Sequence, residues 1–255
     1  MSEFNISIPG GESKRLLTGD KYCPDDILVT AEGTGQGYDE GYADGVEQGK
    51  KAERDYFWEN YKSDNTNWQY AFGNRAWNDT AFNPTKDIVV PQRSDVSFMF
   101  HSCRIYNLKQ ILQRNGVKLD LSGATSNFNF ARNSMVQYFP HIDFSRCDVL
   151  NNCFAGCTMM IELSLSVKEK VQCNNVFQNC RELIDLTIVS GTFGTSLSLA
   201  NSPLLSDASI QSVIDALADL TGATAQTLTL HNDTGNKLTE EQKSTITAKN
   251  WTLVY

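Results

Sequence analysis

Positive charge is in short supply. Lys and Arg number 22 against 30 Asp and Glu, a formal net charge of −8, so no broad positive field exists to hold a phosphate backbone and nucleic acid is not an expected partner. Long apolar runs are missing too. The longest uncharged stretch, Leu186 to Ser206, is threaded with Ser, Thr, Gly, Asn and Pro, which excludes a hydrocarbon-spanning helix and with it membrane insertion. The opening Met1-Ser2-Glu3 lacks a basic segment followed by an apolar one, so synthesis in a cytoplasm without Sec export is expected. Histidine is scarce: His101, His141 and His231 lie far apart, in no metal-ligand or nucleophile-base pattern. No catalytic motif stands out, and neither a cofactor nor a metal is expected.

What the sequence does contain is a repeat. An aromatic residue or Leu is followed three residues later by a small polar residue and three later again by an apolar one. The triplets are Phe130, Asn133, Val136; Phe154, Cys157, Met160; Phe177, Cys180, Leu183; and Leu199, Ser202, Leu205, at spacings of 24, 23 and 22 residues. A weaker copy stands at Phe100, Cys103 and Tyr106. Three of the triplets run into strand-like alternation, at Ile142-Asp143-Phe144, Leu163-Ser164-Leu165 and Leu186-Thr187-Ile188, where the apolar period drops from three to two. A unit of about 20–29 residues cannot bury its own apolar face and must stack on its neighbours, the leucine-rich-repeat solution. The expected fold class is therefore a mixed α/β repeat protein, a β-rich leucine-rich-repeat solenoid with a small N-terminal β segment, a Gly-rich helix and an α/β C-terminal cap.

The expected organisation has five parts. Residues 1–36 carry Ile6, Ile8 and Ile27-Leu28-Val29 around a Pro9-Gly10-Gly11 turn and end in a glycine-rich linker, a small β segment. In residues 37–62, Gly37, Gly41, Gly45 and Gly49 recur every fourth residue beside Tyr38 and Tyr42. On a helix this stripe is bare backbone, at about 1 kcal/mol per Gly relative to Ala, and two readings stand: close packing between copies of the chain, making a homo-oligomer, or a flexible linker. Residues 63–96 form an aromatic cap, part of a cluster of Tyr56, Phe57, Trp58, Tyr61, Trp68, Tyr70, Phe72, Trp77 and Phe82 that either plugs the first repeat or binds sugars. Residues 97–206 hold the repeats. Residues 207–255 cap them with a helix from Ser206 to Leu220, a strand at Thr227–Leu230, a helix from Thr239 to Lys249 and a strand at Trp251–Tyr255.

The pattern Phe-x-x-Cys-x-x-Leu-x-x-Leu-x-Leu resembles the BspA-like subclass of leucine-rich repeats over residues 97–206. Three further segments resemble tail-region proteins of phages of Gram-positive gut bacteria: Asn5-Ile6-Ser7-Ile8-Pro9-Gly10-Gly11 with Lys21-Tyr22-Cys23 and Val29-Thr30-Ala31-Glu32-Gly33; Tyr38-Asp39-Glu40-Gly41-Tyr42 leading to Tyr56-Phe57-Trp58; and Leu217-Ala218-Asp219-Leu220-Thr221-Gly222 through Thr227-Leu228-Thr229-Leu230 to Asn250-Trp251-Thr252-Leu253. The resemblance implies a virion-associated component, made in the bacterial cytoplasm, whose partners are other virion or tail proteins and a cell-surface glycan or protein. A bacterial BspA-like surface adhesin is the neighbouring alternative.

Side chains alternating with the buried ones line one face of stacked strands. That face supplies the candidate binding residues Asp120, His141, Asp143, Glu162, Ser164, Asp185, Thr187, Thr229 and His231. They are small and polar, suited to hydrogen bonding a glycan or a protein, or simply to solvent. A hydrolase reading takes Asp143 with Glu162 or Asp120 as a carboxylate pair, because neighbouring strands and retaining glycosidase carboxylates share a spacing of about 5 Å. Of the seven cysteines, Cys157 and Cys180 occupy the slot that Asn133 and Ser202 fill elsewhere. That exchange favours structural thiols over zinc or a disulfide. Cys23 and Cys147 have no assigned role.

Overall fold

The computed structural model describes the backbone of residues 3–6 and 14–17, together with residues 67–73 and 77–255. The chain divides into two compact units, Met1–Ala52 and Glu53–Tyr255. In the first, β1 (Glu3–Ile6) and β2 (Lys14–Leu17) pair antiparallel, Glu3 opposite Leu17 and Ile6 opposite Lys14, on either side of the Pro9-Gly10-Gly11 segment. Ile27-Leu28-Val29, Cys23, the glycine stripe (Gly37, Gly41, Gly45, Gly49 with Tyr38 and Tyr42) and Tyr56, Phe57, Trp58 and Tyr61 lie outside the described residues.

In the second unit the elements follow in the order β3 (Ile88–Val89), β4 (Ser94–Asp95), α1 (Leu108–Asn115), β5 (Leu119–Asp120), β6 (Ala124–Ser126), β7 (Tyr138–Phe144), β8 (Val149–Asn151), β9 (Glu162–Val167), β10 (Gln172–Asn174), β11 (Asp185–Ser190), β12 (Leu197–Leu199), α2 (Asp207–Asp215), β13 (Gln226–Leu230), α3 (Asn232–Gly235), α4 (Glu240–Ala248) and β14 (Trp251–Val254). Every strand pairing described in this unit is parallel: β3 with β5, β4 with β6, β7 with β9 with β11, β8 with β10, and β12 with β13 with β14. Parallel neighbours need a crossover between them, and here it is the rest of one repeat.

A left-handed residue marks the same corner in five successive segments: Tyr70, Phe98, Asn129, Asn152 and Asn175, with φ between 50° and 60°. The carbonyl of each accepts a hydrogen bond from the N–H three residues on, at 3.0–3.2 Å. Two residues after the corner, Phe72 N–H donates to Met99 O, Phe100 to Phe130 O, Ala131 to Cys153 O and Phe154 to Val176 O, at 2.7–3.1 Å. These bonds align the segments and correct the triplet at Phe130 by one residue. Ala131 stands where Phe100, Phe154 and Phe177 stand, and Ser134, not Asn133, fills the slot of Cys103, Cys157, Cys180 and Ser202. Ser134 is 2% exposed, whereas Asn133 has a φ of 58° and is exposed. The reason is local: asparagine tolerates the left-handed region, and the small hydroxyl fits the buried turn.

Phe130, one residue after the corner, holds the place of Met99, Cys153 and Val176, which are buried as well. The rings of Phe72, Phe100, Phe130, Phe154 and Phe177 form a continuous interior spine, with successive centroids 5.2, 5.4, 6.0 and 6.1 Å apart. All five are fully buried; at about 1.5–3 kcal/mol each, they are a large share of the stabilising burial. Trp77, Phe82, Phe139 and Phe144 pack edge-on against this spine. Glycine is needed where backbones meet. At Gly191, φ is 83° and a Cβ would lie 1.8 Å from Val167 O, so no side chain fits there.

The three-stranded sheet of β7, β9 and β11 has its borders occupied by helices. On the β11 side, Ser209 and Ser212 of α2 accept the N–H groups of Leu186 and Ile188 at 2.8 Å each, so a helix satisfies an edge strand. Ser206 caps α2 by accepting Ser209 N–H, and Lys249 Nζ donates to the carbonyls of Ile214, Asp215 and Leu217 at 2.9 Å each, satisfying the groups around its C-terminal end. The helix is shorter than Ser206–Leu220, because the chain turns extended and Leu217 bridges Phe193. Thr239 and Gln242 form a capping box on α4. Helix α1, which the sequence reading did not include, packs beside β7. The two residues that lead into it are held from a distance: Asp79 accepts the N–H groups of Tyr106 and Asn107 at 2.6 and 3.2 Å.

Candidate functional site

The expected single face resolves into separate places. His141, Asp143, Glu162, Ser164, Asp185 and Thr187 share the β7–β9–β11 sheet, with His141 opposite Ser164, Ser164 opposite Thr187, and Glu162 opposite Asp185. Asp120 belongs instead to the β3–β5 pair and Thr229 to the β12–β13–β14 sheet. His231 follows β13 and caps α3, its Nδ1 accepting Asp233 N–H at 3.2 Å. The candidate residues are thus divided among three hydrogen-bonded sheets, with β5 packed beside β7. Backbone hydrogen bonding, not alternation alone, decides which strands are neighbours, and α2 stands on the β11 border.

On the central sheet, alternation works as the pattern requires. Leu163, Leu165, Ile142, Phe144 and Leu186 point inward and are fully buried, leaving the polar set outside. His141 is held between two serines, Nδ1 at 3.0 Å from Ser164 Oγ and Nε2 at 3.2 Å from Ser166 Oγ. Asp143 accepts Ser145 N–H at 2.9 Å, Asp185 accepts Ser206 Oγ–H at 3.1 Å, and Glu162 is paired with Lys109 of α1 at 2.5 Å. The face is therefore a fixed array of donors and acceptors around one imidazole.

This register weighs against the carboxylate pair of the hydrolase reading. Asp143 lies opposite Ser166, four positions along β9 from Glu162, about 13 Å at 3.3 Å per residue. Glycosidase pairs sit about 5–5.5 Å apart when retaining and about 6.5–9.5 Å when inverting. Asp120 stands on β5, which packs beside β7, and accepts Ser122 N–H at 2.9 Å as Asp143 accepts that of Ser145. The lateral neighbour of Glu162 is Asp185, and each of these carboxylates already has a partner of its own.

The described cysteines are free thiols. Cys157 Sγ donates to Ala131 O at 2.9 Å and Cys180 Sγ to Phe154 O at 3.2 Å, inside the turns of neighbouring repeats. Burial pushes the Cys157 thiol up to about 11 and those of Cys103, Cys147 and Cys173 up to about 12, so the thiolate that a metal or an electrophile requires is disfavoured. Among the described residues no three His, Cys, Asp or Glu side chains gather as a metal site. Cys147 finds a place here: it is buried and its Sγ faces Ala124 O at 3.5 Å.

Thr229 lines a cleft of about 230 Å³ with Asn174, Val176, Ser196 and Leu197, where Asn174 Nδ2 donates a hydrogen bond to Asn151 Oδ1 at 3.1 Å. A second, wider groove of about 560 Å³ is lined by Gln137, Met159, Ile161, Arg181 and Glu182. The aromatic cap is also more than a plug. Trp68, Phe72, Trp77 and Phe82 are buried, but Tyr70 is 43% exposed. Its ring stacks on Phe98, centroids 4.6 Å apart and planes at 11°, and Phe98 meets Phe128 at 5.3 Å. Phe128 is 40% exposed. The sequence carried a signal for this row: aromatic-x-Phe occurs as Tyr70/Phe72, Phe98/Phe100 and Phe128/Phe130, the second residue inside and the first outside.

Compared with models of protein families, with curated proteins and with solved structures, the chain matches none. No helix among the described residues is long and apolar enough to cross a membrane.

Proposed function

We propose that this chain is a non-enzymatic binding and structural protein, a BspA-like leucine-rich-repeat solenoid that serves as a phage tail or virion-associated component and presents its repeat surface to a host-surface or protein partner. The observation that carries the binding role is the open polar face of β7, β9 and β11, where His141 is bracketed by Ser164 and Ser166 above a fully apolar layer. The solenoid reading is supported by parallel pairing between strands one repeat apart and by the shared left-handed corner. The virion setting rests on the sequence resemblance alone. A bacterial surface adhesin uses the same face, and the register of Asp143 and Glu162 disfavours a hydrolase built on that pair. In this reading the glycine stripe at Gly37, Gly41, Gly45 and Gly49 brings copies together, and linked copies convert a weak site into avid attachment.

The test is co-sedimentation of the full chain with Gram-positive cell envelopes. Retention is expected, falling at least tenfold in a His141→Ala, Ser164→Ala double variant whose melting temperature is unchanged. Absence of retention, or equal retention of the variant, overturns the use of this face. In light scattering, an unchanged copy number in Gly41→Leu, Gly45→Leu would sink the stripe as the joining element.

A further inference from the structure

We infer that the gap between β10 and β12 is a docking slot for a short extended peptide of another protein, held main chain to main chain. This goes beyond the binding role proposed above, because it uses neither the β7–β9–β11 face nor the virion setting.

An interrupted ladder is the first observation. In the preceding repeats each coil donates to the next: Asn129 N–H to Asn151 O, Ala131 to Cys153 O, Asn152 to Asn174 O and Phe154 to Val176 O, at 2.7–3.1 Å. One repeat on, the same positions are Asn175 and Phe177, and the carbonyls next in series belong to Ser196 and Ser198. Among the described residues no hydrogen bond joins them. Strand β10 belongs to a sheet with β8, and β12 to one with β13 and β14. The break follows from the corner. Asn129, Asn152 and Asn175 turn left-handed there, whereas Leu197, next in that series, lies in β12 and pairs with Leu228. Without the turn the chain runs on into the C-terminal sheet and leaves the β10 edge behind.

The second observation is the frame of the gap. At one end Thr195 Oγ1 accepts Cys173 N–H at 2.7 Å, and at the other Asn201 Oδ1 accepts Asn179 N–H at 3.4 Å. Side chains thus stand in for the missing strand at both ends, and the N–H groups of Asn175 and Phe177 remain between them. The cleft of about 230 Å³ lies here, lined by buried Val176 and Leu197 and by the less buried Asn174, Thr227 and Thr229. Its lining carries no charged residue.

The third is a contrast with the other sheet. There the last strand is served from within the chain, since Ser209 and Ser212 of α2 accept the N–H groups of Leu186 and Ile188. Phe177 is fully buried, and buried N–H groups are almost always paired, yet α2 has no counterpart at β10. An occupant of this slot accepts from Asn175 and Phe177 on one side and donates to the carbonyls of Ser196 and Ser198 on the other. An extended peptide does both, because its N–H and C=O groups point alternately to its two edges. The uncharged lining and the small volume restrict it to small uncharged side chains, apolar toward Val176 and Leu197 and hydroxylated toward the threonines.

The experiment follows amide hydrogen exchange in the full chain, resolved to single residues by mass spectrometry, with and without blocked pentapeptides in which Val or Ala alternates with Ser or Thr. In the free chain Asn175 and Phe177 are expected to exchange at least tenfold faster than their bonded counterparts Asn152 and Phe154. At least one peptide is expected to slow both at least tenfold, and its analogue N-methylated on alternate residues, which lacks the donors, is expected to slow neither. Equal protection of the two pairs in the free chain overturns the inference, because the slot is then closed. Absence of slowing by every peptide also overturns it and leaves the slot to solvent only. Equal slowing by the N-methylated analogue does the same by assigning the contact to side chains, as does protection that rises with protein concentration alone, which gives the slot to a second copy of the chain. No substitution is involved, so loss of the fold cannot imitate a result. Envelope retention reads the His141 face, and the two proposals fail separately.

Discussion

The early repeats and the later ones solve the same corner differently. Tyr70 and Phe98 stand at the left-handed position in the first two, and Asn129, Asn152 and Asn175 in the next three, yet all five share a φ between 50° and 60°. The hydrogen bond closing the corner is equally uniform, at 3.0–3.2 Å throughout. Backbone geometry is therefore independent of which side chain occupies the corner. In the later repeats the residue agrees with local preference, since asparagine visits this region readily. In the early ones it opposes that preference, and the opposing residues are aromatic: Tyr70, which is exposed, and Phe98, which is half-buried. Segment length differs as well. The steps from Tyr70 to Phe98 and from Phe98 to Asn129 are longer than those from Asn129 to Asn152 and from Asn152 to Asn175, and the longest of them, Phe98 to Asn129, houses α1.

The largest expected effect addresses what the two regions share. Phe72→Ala in the early part and Phe154→Ala in the later part should each lower unfolding free energy by about 3–5 kcal/mol, because both rings belong to one interior spine. Urea denaturation measures this, and a loss below about 1 kcal/mol at either site would break the spine into independent parts. Next comes the corner itself. Asn152→Tyr should cost about 1–3 kcal/mol by placing a bulky residue in the left-handed region, while Tyr70→Asn should gain up to about 1 kcal/mol. Equal effects of the same sign would remove the distinction between the regions.

A smaller effect sharpens the comparison through titration. Burial, with help from the Arg132 charge, holds the His101 pKa below its ordinary 6.5, and His101 lies edge-on to Phe98 at 5.6 Å. Between the depressed folded value and 6.5 the unfolded chain binds the proton and the folded chain does not. Stability therefore falls as pH drops through that window. Melting curves from pH 7 to pH 5 should show this loss, reduced in His101→Gln; an unchanged slope in that variant would dissociate His101 from it. The smallest change expected is none at all: Cys103, Cys147, Cys153, Cys157 and Cys180, buried in both regions, should resist iodoacetamide at pH 8 until denaturant is added, as followed by mass spectrometry.

Much of the architecture was legible without coordinates. The period-three to period-two switch located β7, β9 and β11, because alternation of Leu163 and Leu165 with polar neighbours has one arrangement that buries the leucines. Ser206 and Thr239 announced helix starts through chemistry confined to one turn. The binding face was legible only in part. His141, Ser164 and Thr187 do lie in one row, but nothing in Asp120, Thr229 or His231 reveals that their strands bond to other partners.

What the sequence by itself determined is the repeat length, the inward face of each strand, the helix caps and the placement of small groups in buried turns, since all of these follow from side-chain chemistry within a few residues. What only the tertiary structure decided is the frame of the repeat at Phe130, which places Ser134 and not Asn133 inside, the division of the polar residues among three sheets, and the contact of Tyr70, Phe98 and Phe128 in one row at the surface. Each of these depends on hydrogen bonds between backbones a full repeat apart, and a one-residue shift in such a pairing exchanges inside for outside.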